Sequence, residues 1–172
     1  MSARDRAATN FWWVTARKQA DRKGWHWDQY FGSRGDPAQA YDWGGPEWIR
    51  SPLSFANIKR MRIGDIVVAY QSGEGILGLV RLASAGYQHE VGRHFDTFNL
   101  DRRHNIRLGS PIPLQVIRAL PNAKQSFQFL KVGRGTVFAI ERMGFGRLSR
   151  LMTAFNMEIE DQIIHFLSKF MA

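Results

Sequence analysis

Residues 51–84 constrain the chain most, because they read as a helix running without a linker into a β-hairpin. Ser51 offers a hydroxyl at the N-cap and Pro52 takes the first helical position, where a missing N–H costs nothing. Leu53, Ile58 and Met61 recur at helical spacing, and the helix is predicted to end near Gly64. Asp65–Gln71 (DIVVAYQ) and Ile76–Ser84 (ILGLVRLAS) are strand-like, and Ser72-Gly73-Glu74-Gly75 between them has the composition of a hairpin turn. A helix and a hairpin joined this closely place the chain in the α+β class.

Around this segment, Asn10–Thr15 (NFWWVT) predicts a strand and Ala16–Phe31 a helix broken at Gly24. Gly32–Pro46 holds four of the sixteen glycines and two of the six prolines, which predicts a long loop of the kind often used for binding. The polar run Gly86–His104 also reads as loop. Asn105–Gly109 predicts a strand, Pro113–Leu120 a short helix and Gly135–Met143 a strand. From Phe145 the period changes: Leu148, Leu151, Met152 and Phe155, then Ile159, Ile163, Phe166, Leu167 and Phe170, recur at three- and four-residue steps, giving two helices with a break near Asn156. The stripe Ile159, Ile163, Phe166 and Phe170 must be buried. The body of the same chain is the expected partner, and a homodimer through these helices the alternative. The expected organisation is a domain over residues 1–143 with C-terminal helices, 144–172, packed on it.

The 24 Lys and Arg against 15 Asp and Glu leave a net charge of +9, whose field attracts polyanions such as nucleic acid. With no cysteine, disulfides, thiolate catalysis and Cys-ligated zinc or iron–sulfur centres are excluded. No apolar run approaches the roughly 20 residues that cross a bilayer, and the N-terminus lacks a hydrophobic leader, so a cytoplasmic protein without a membrane is expected. There is no glycine-rich phosphate loop and no Gly-x-Ser-x-Gly elbow. His89 and His94 are the nearest approach to a metal pair, and Asp96 and Asp101 are not marked out from loop carboxylates. No catalytic residue, metal or cofactor is assigned.

All six tryptophans lie between Trp12 and Trp48. Trp12, Trp13, Trp25 and Trp27 read as core; neighbours on a strand face opposite ways, so at least one of Trp12 and Trp13 points inward. Trp43 and Trp48 sit on or beside the Gly/Pro-rich stretch and are expected at the surface, where an indole near arginines is a base-stacking platform. Arg50, Lys59, Arg60 and Arg62 on or before the Ser51 helix, with Arg102, Arg103 and Arg107 around a predicted strand, are the candidate phosphate contacts.

The strand FWWVT, the Trp48-Ile49-Arg50-Ser51 lead-in to a helix, and Asn57-Ile58-Lys59-Arg60-Met61-Arg62-Ile63-Gly64-Asp65 running into IVVAYQS and GILGLVRLAS resemble the EVE domain of the PUA-like superfamily. Arg50, Asn57, Met61, Gly64, Asp65, Tyr70, Ser72, Gly75 and Gly78 fall on that family's pattern, and IRLGSPIPL and RGTVFAIE look like its later strands. The segment is also similar to the related YTH domain, whose cage tryptophan aligns with Trp48. The family's Lys-Ser after the first strand is Thr15-Ala16 here, and the second cage tryptophan has no counterpart near Arg107. The resemblance implies a small PUA-like β-barrel with flanking helices and a noncatalytic reader of modified bases, DNA favoured over RNA. A flipped or unpaired base would be held by Trp48 with Trp25, Trp27 or Trp43 as further walls. Thr15, Ser51, Tyr70 and Ser72 would complete the pocket, with Thr15 and Ser51 reading the base edge. Two other readings stand beside it: an accessory or specificity subunit of a nucleic-acid-processing enzyme, such as a modification-dependent restriction system, and a sensor of a small nucleotide-like ligand.

Overall fold

The computed structural model describes residues 8–17, 24–132 and 135–171. In chain order the elements are β1 (Phe11–Ala16), α1 (Asp28–Phe31), β2 (Tyr41–Gly44), α2 (Pro52–Arg60), β3 (Ile66–Gln71), β4 (Gly75–Leu82), β5 (Tyr87–Gln88) and β6 (Phe95–Ile112). They continue with α3 (Leu114–Arg118), α4 (Ala123–Ser126), β7 (Val137–Ile140), α5 (Arg142–Phe155) and α6 (Glu160–Met171). The strands form one mixed sheet in the order β2-β6-β4-β3-β1-β7, with β5 paired to β6, curled into a half-barrel with flanking helices.

The central strand explains the two faces. β1 lies parallel to β3 and antiparallel to β7, so both edges are paired and both sides are covered. Phe11 and Trp13 enter a core shared with α5 and α6, whereas Trp12, Val14 and Ala16 enter the core inside the curl. Both adjacent tryptophans are therefore fully buried, on opposite faces.

Several residues of the 50–78 pattern hold the frame. Asn57 on α2 donates to the Val137 carbonyl at 2.8 Å, and the Ser54 hydroxyl accepts from the amides of Thr136 and Val137, which fastens the helix to β7. Buried Asp65 accepts from the amides of Asn10 and Arg62 and from the Trp12 indole. A Cβ at Gly78 would stand 2.1 Å from the Ile106 carbonyl oxygen, so β4 and β6 approach closely only because that residue is glycine. α2 ends at Arg60 rather than Gly64, since Met61 is already extended. The Ser51 side chain makes no cap hydrogen bond; its carbonyl accepts the Phe55 amide instead.

The structure corrects the sequence reading in three further places. Of the helix expected over Ala16–Phe31, only the turn Asp28–Phe31 is helical among the described residues, and residues 18–23 lie outside them. The Gly32–Pro46 stretch, expected as a loop, contains β2, paired with β6 from Tyr41↔Leu100 to Gly44↔Thr97. Gly86–His104 contains β5 and the first half of β6, an 18-residue strand. Its register against β4 jumps between Val80↔Asn105 and Leu82↔Leu100, so Asp101–His104 bulges outward, where polar side chains reach water.

The C-terminal stripe is covered by its own chain. Ile163 and Phe166 join the core with Phe145, Leu148 and Met152, and the Phe11 and Phe145 rings stack at 4.0 Å. Asn156 accounts for the break between α5 and α6. Fully buried, it pairs with both backbone groups of Ser110 on β6, accepting from the amide and donating to the carbonyl, and also donates to the Met152 carbonyl. Among the described residues no helix is long and apolar enough to cross a membrane.

Candidate nucleic-acid interface

The carboxyl ends of the parallel strands β1 and β3 gather most of the expected pocket residues. Thr15 pairs with Tyr70 and Ala16 with Gln71, and the Ser72 amide continues the ladder to the Ala16 carbonyl at 2.8 Å. The returning chain is tied down there. The Trp25 amide donates to the Arg17 carbonyl, the Trp27 amide to the Gln71 side chain, and the Trp27 indole N–H to the carbonyls of Val14 and Tyr70 at 3.3 and 3.1 Å. One indole thus bridges the two strands from inside.

On the inner face, Trp43 lies between Trp27, at 5.9 Å and nearly parallel, and Phe98 at 5.0 Å. Trp25 meets Trp27 and Trp43 edge-on at 4.9 and 5.6 Å, with its N–H 3.3 Å from the Tyr41 hydroxyl. Trp27 and Trp43 are buried, which corrects the expectation of a surface Trp43; partners distant in sequence enclose it. Trp25 alone of these three is partly exposed. On the outer face the Trp13 ring is sandwiched between Tyr70 at 4.5 Å and Phe129 at 3.7 Å, and donates to the Thr15 hydroxyl. Burial pushes the Tyr70 phenol above its usual range, against the opposing pull of the Arg118 charge. The Trp13–Tyr70–Phe129 stack was not foreseen, although the parity of Trp13, Thr15 and the β3 residues carried its signal.

Trp48 and Ser51 do not join this group. They lie on the β2–α2 connection, where the Trp48 and Ile49 amides both donate to the Gly45 carbonyl. Trp48 is 47% exposed, and its indole stacks on no other ring among the described residues.

The basic residues also divide. Arg107 is held by Asp28 at 2.8 Å and by the carbonyls of Leu77 and Leu108. Arg102 donates to the Ser33 hydroxyl and lies over the Tyr41 ring, and Arg103 donates to the Pro37 carbonyl. These three brace the sheet and the 33–41 segment. Arg50, Lys59, Arg60 and Arg62 are exposed, and none has a carboxylate within 4 Å among the described residues.

A groove of about 520 Å³ between β6 and α6, lined by His104, Asn105, His165, Lys169 and Phe170 among others, lies apart from these residues. His104 Nδ1 is 2.7 Å from Asp101. Burial acts to raise the Asp101 pKa, but hydrogen bonds from His104 and the Arg103 amide, with the charges of His104 and Arg81, outweigh it and hold the carboxyl below its usual range. Among the described residues no three His, Asp or Glu side chains come together as metal ligands.

No family model and no curated protein matches the chain. Solved structures do. An Agrobacterium tumefaciens protein superposes with a TM-score of 0.67 at 18% identity, covering 84% of this chain and 93% of that one. The DUF55 domain of human thymocyte nuclear protein 1 gives 0.66 at 14% identity, covering 83% and 98%. The same human protein in complex with 5-methylcytosine-containing DNA gives 0.64 at 13% identity, covering 84% and 98%. The fold is thus the PUA-like fold of the DUF55 domain.

Proposed function

We propose that this protein is a noncatalytic reader of a modified base in nucleic acid, DNA rather than RNA, of the EVE type. The observation that carries the reading is the fold shared over most of both chains with a human protein solved on DNA containing 5-methylcytosine. The net charge of +9 and the exposed cations on and beside α2, which have no carboxylate within 4 Å among the described residues, agree with a polyanionic partner. The base enters at the carboxyl ends of β1 and β3. There the partly exposed Trp25 supplies a π-face from the inner side, and the Thr15 hydroxyl on the outer side and the Ser72 hydroxyl just beyond β3 meet its polar edge across the strand ends. Extruding a base costs a few kcal/mol, which stacking at roughly 1–3 kcal/mol per base and phosphate contacts offset. Trp27 and Trp43 serve as the buried backing that fixes Trp25, rather than as cage walls.

The test is binding of fluorescent oligonucleotides with and without a modified base at fixed salt, comparing the wild type with Trp25→Ala, Thr15→Val and Ser72→Ala. Trp25→Ala is expected to remove the preference while thermal unfolding confirms a folded variant. A preference that survives all three substitutions places the pocket elsewhere. Metal-dependent cleavage of the oligonucleotide by the wild type contradicts the noncatalytic reading.

A further inference from the structure

A second aromatic surface lies on the β2–α2 connection and α2, apart from the strand ends. The ring of exposed His94 stacks on Phe55 of α2 at 4.2 Å and 17°. Phe55 is itself packed against the inner core, so this pair is a fixed pedestal with one imidazole face open. One turn further along α2, the Lys59 ammonium sits 5.6 Å above the Phe95 ring. The turn that carries the exposed Trp48 is pinned beside them, because the Gly45 amide donates to the Asp96 carbonyl at 2.7 Å, two residues beyond His94. Arg50, Lys59 and Arg93 are exposed and have no carboxylate within 4 Å among the described residues. The exposed acids adjacent in sequence are Glu47 and Glu90, fewer than the cations.

Open aromatic faces interleaved with unneutralised cations are the arrangement that takes unpaired nucleotides, since every base has a π-face and every linkage a phosphate. We propose that this ledge binds single-stranded nucleotides flanking the read base, which stack on Trp48 and on the open face of His94 while Lys59 and Arg93 hold their phosphates. The proposal rests on the nucleic-acid reading above and deepens it. The ledge supplies affinity without base identity, and the strand-end pocket supplies the discrimination.

The experiment uses the full chain and single-stranded oligonucleotides centred on 5-methylcytosine or cytosine, with 2-aminopurine in the flank. His94→Ala and Trp48→Ala are each expected to weaken binding about 5- to 100-fold for both oligonucleotides, leaving their ratio unchanged. They also relieve the quenching of 2-aminopurine, and His94→Phe restores both affinity and quenching. If the wild type discriminates while His94→Ala and Trp48→Ala change neither affinity nor quenching, the ledge is wrong and the reader stands. Loss of the ratio in Trp48→Ala puts Trp48 in the base pocket and also overturns the ledge. Equal wild-type binding to both oligonucleotides and to counterparts bearing other base modifications, still weakened by His94→Ala, overturns the reader and keeps the ledge. A wild type that binds neither oligonucleotide overturns both.

Discussion

Replacing Asp65 with alanine tests whether this residue of the Gly-Asp pattern is architectural. Its side chain is almost fully enclosed and takes hydrogen bonds from four donors: the Asn10 amide at 3.1 Å, the Asn10 side chain at 3.3 Å, the Trp12 indole at 2.8 Å and the Arg62 amide at 2.9 Å. Without the carboxylate, the Trp12 N–H is a buried orphan, worth about 2–3 kcal/mol because water does not reach it. The other three donors are partly buried and cost about 0.5–1 kcal/mol each, so the substitution should destabilise the fold by about 3.5–6 kcal/mol. In a chain of this size that lowers Tm by about 7–24 °C. Urea denaturation measures the loss directly. Repeating Asp65→Ala in a Trp12→Phe background isolates the indole bond, where the cost should shrink by about 2–3 kcal/mol. A loss below about 1 kcal/mol, or the same loss in both backgrounds, would show that the Asp65 carboxylate does not hold the strand in place.

Phe166→Ala should cost about 3–5 kcal/mol in urea denaturation, since the ring fills the core between α6 and the sheet. Deletion of 157–172 should expose that core and cause aggregation; a soluble, monomeric and equally heat-stable truncation contradicts this. Tyr30 donates its hydroxyl to the Asp101 carbonyl, and burial drives its pKa far above the usual tyrosine range, with the Asn105 side chain and the Arg102 charge opposing and the Asp101 charge assisting. The unfolded phenol ionises near pH 10, so Tyr30 contributes stability fully below about pH 10 that is lost as pH rises beyond it. Ultraviolet titration should show its phenolate appearing only with unfolding. Changing Lys59, Arg60 and Arg62 together to Gln should weaken binding to all oligonucleotide sequences and flatten the salt dependence by about two to three charges, read from affinity against salt concentration; an unchanged slope means they are only a solvated face.

The hairpin of β3 and β4 and the two C-terminal helices were legible because apolar runs, turn chemistry and a clear change of period are local signals. Residues 86–104 were not. β6 borrows its partners from β2, β4 and β5 and bulges at Asp101–His104, so no alternation marks it as strand. The burial of Trp43 has no local signal for a related reason, since it depends on Trp27 and Phe98, which only the fold brings together. At the candidate site, residue types were legible and grouping was not. Trp25 and Trp48 carry the same chemistry, and only the course of the sheet separates the strand ends from the β2–α2 connection.

A reader of this kind distinguishes a modified base from its unmodified form. The most direct measurement is the affinity of the wild type for two otherwise identical oligonucleotides, one with 5-methylcytosine and one with cytosine at a single position, titrated at one fixed salt concentration. Binding should be tighter to the modified strand, with both affinities falling steeply and in parallel as salt is raised. Equal affinity for the two strands, and for counterparts bearing other base modifications, contradicts it.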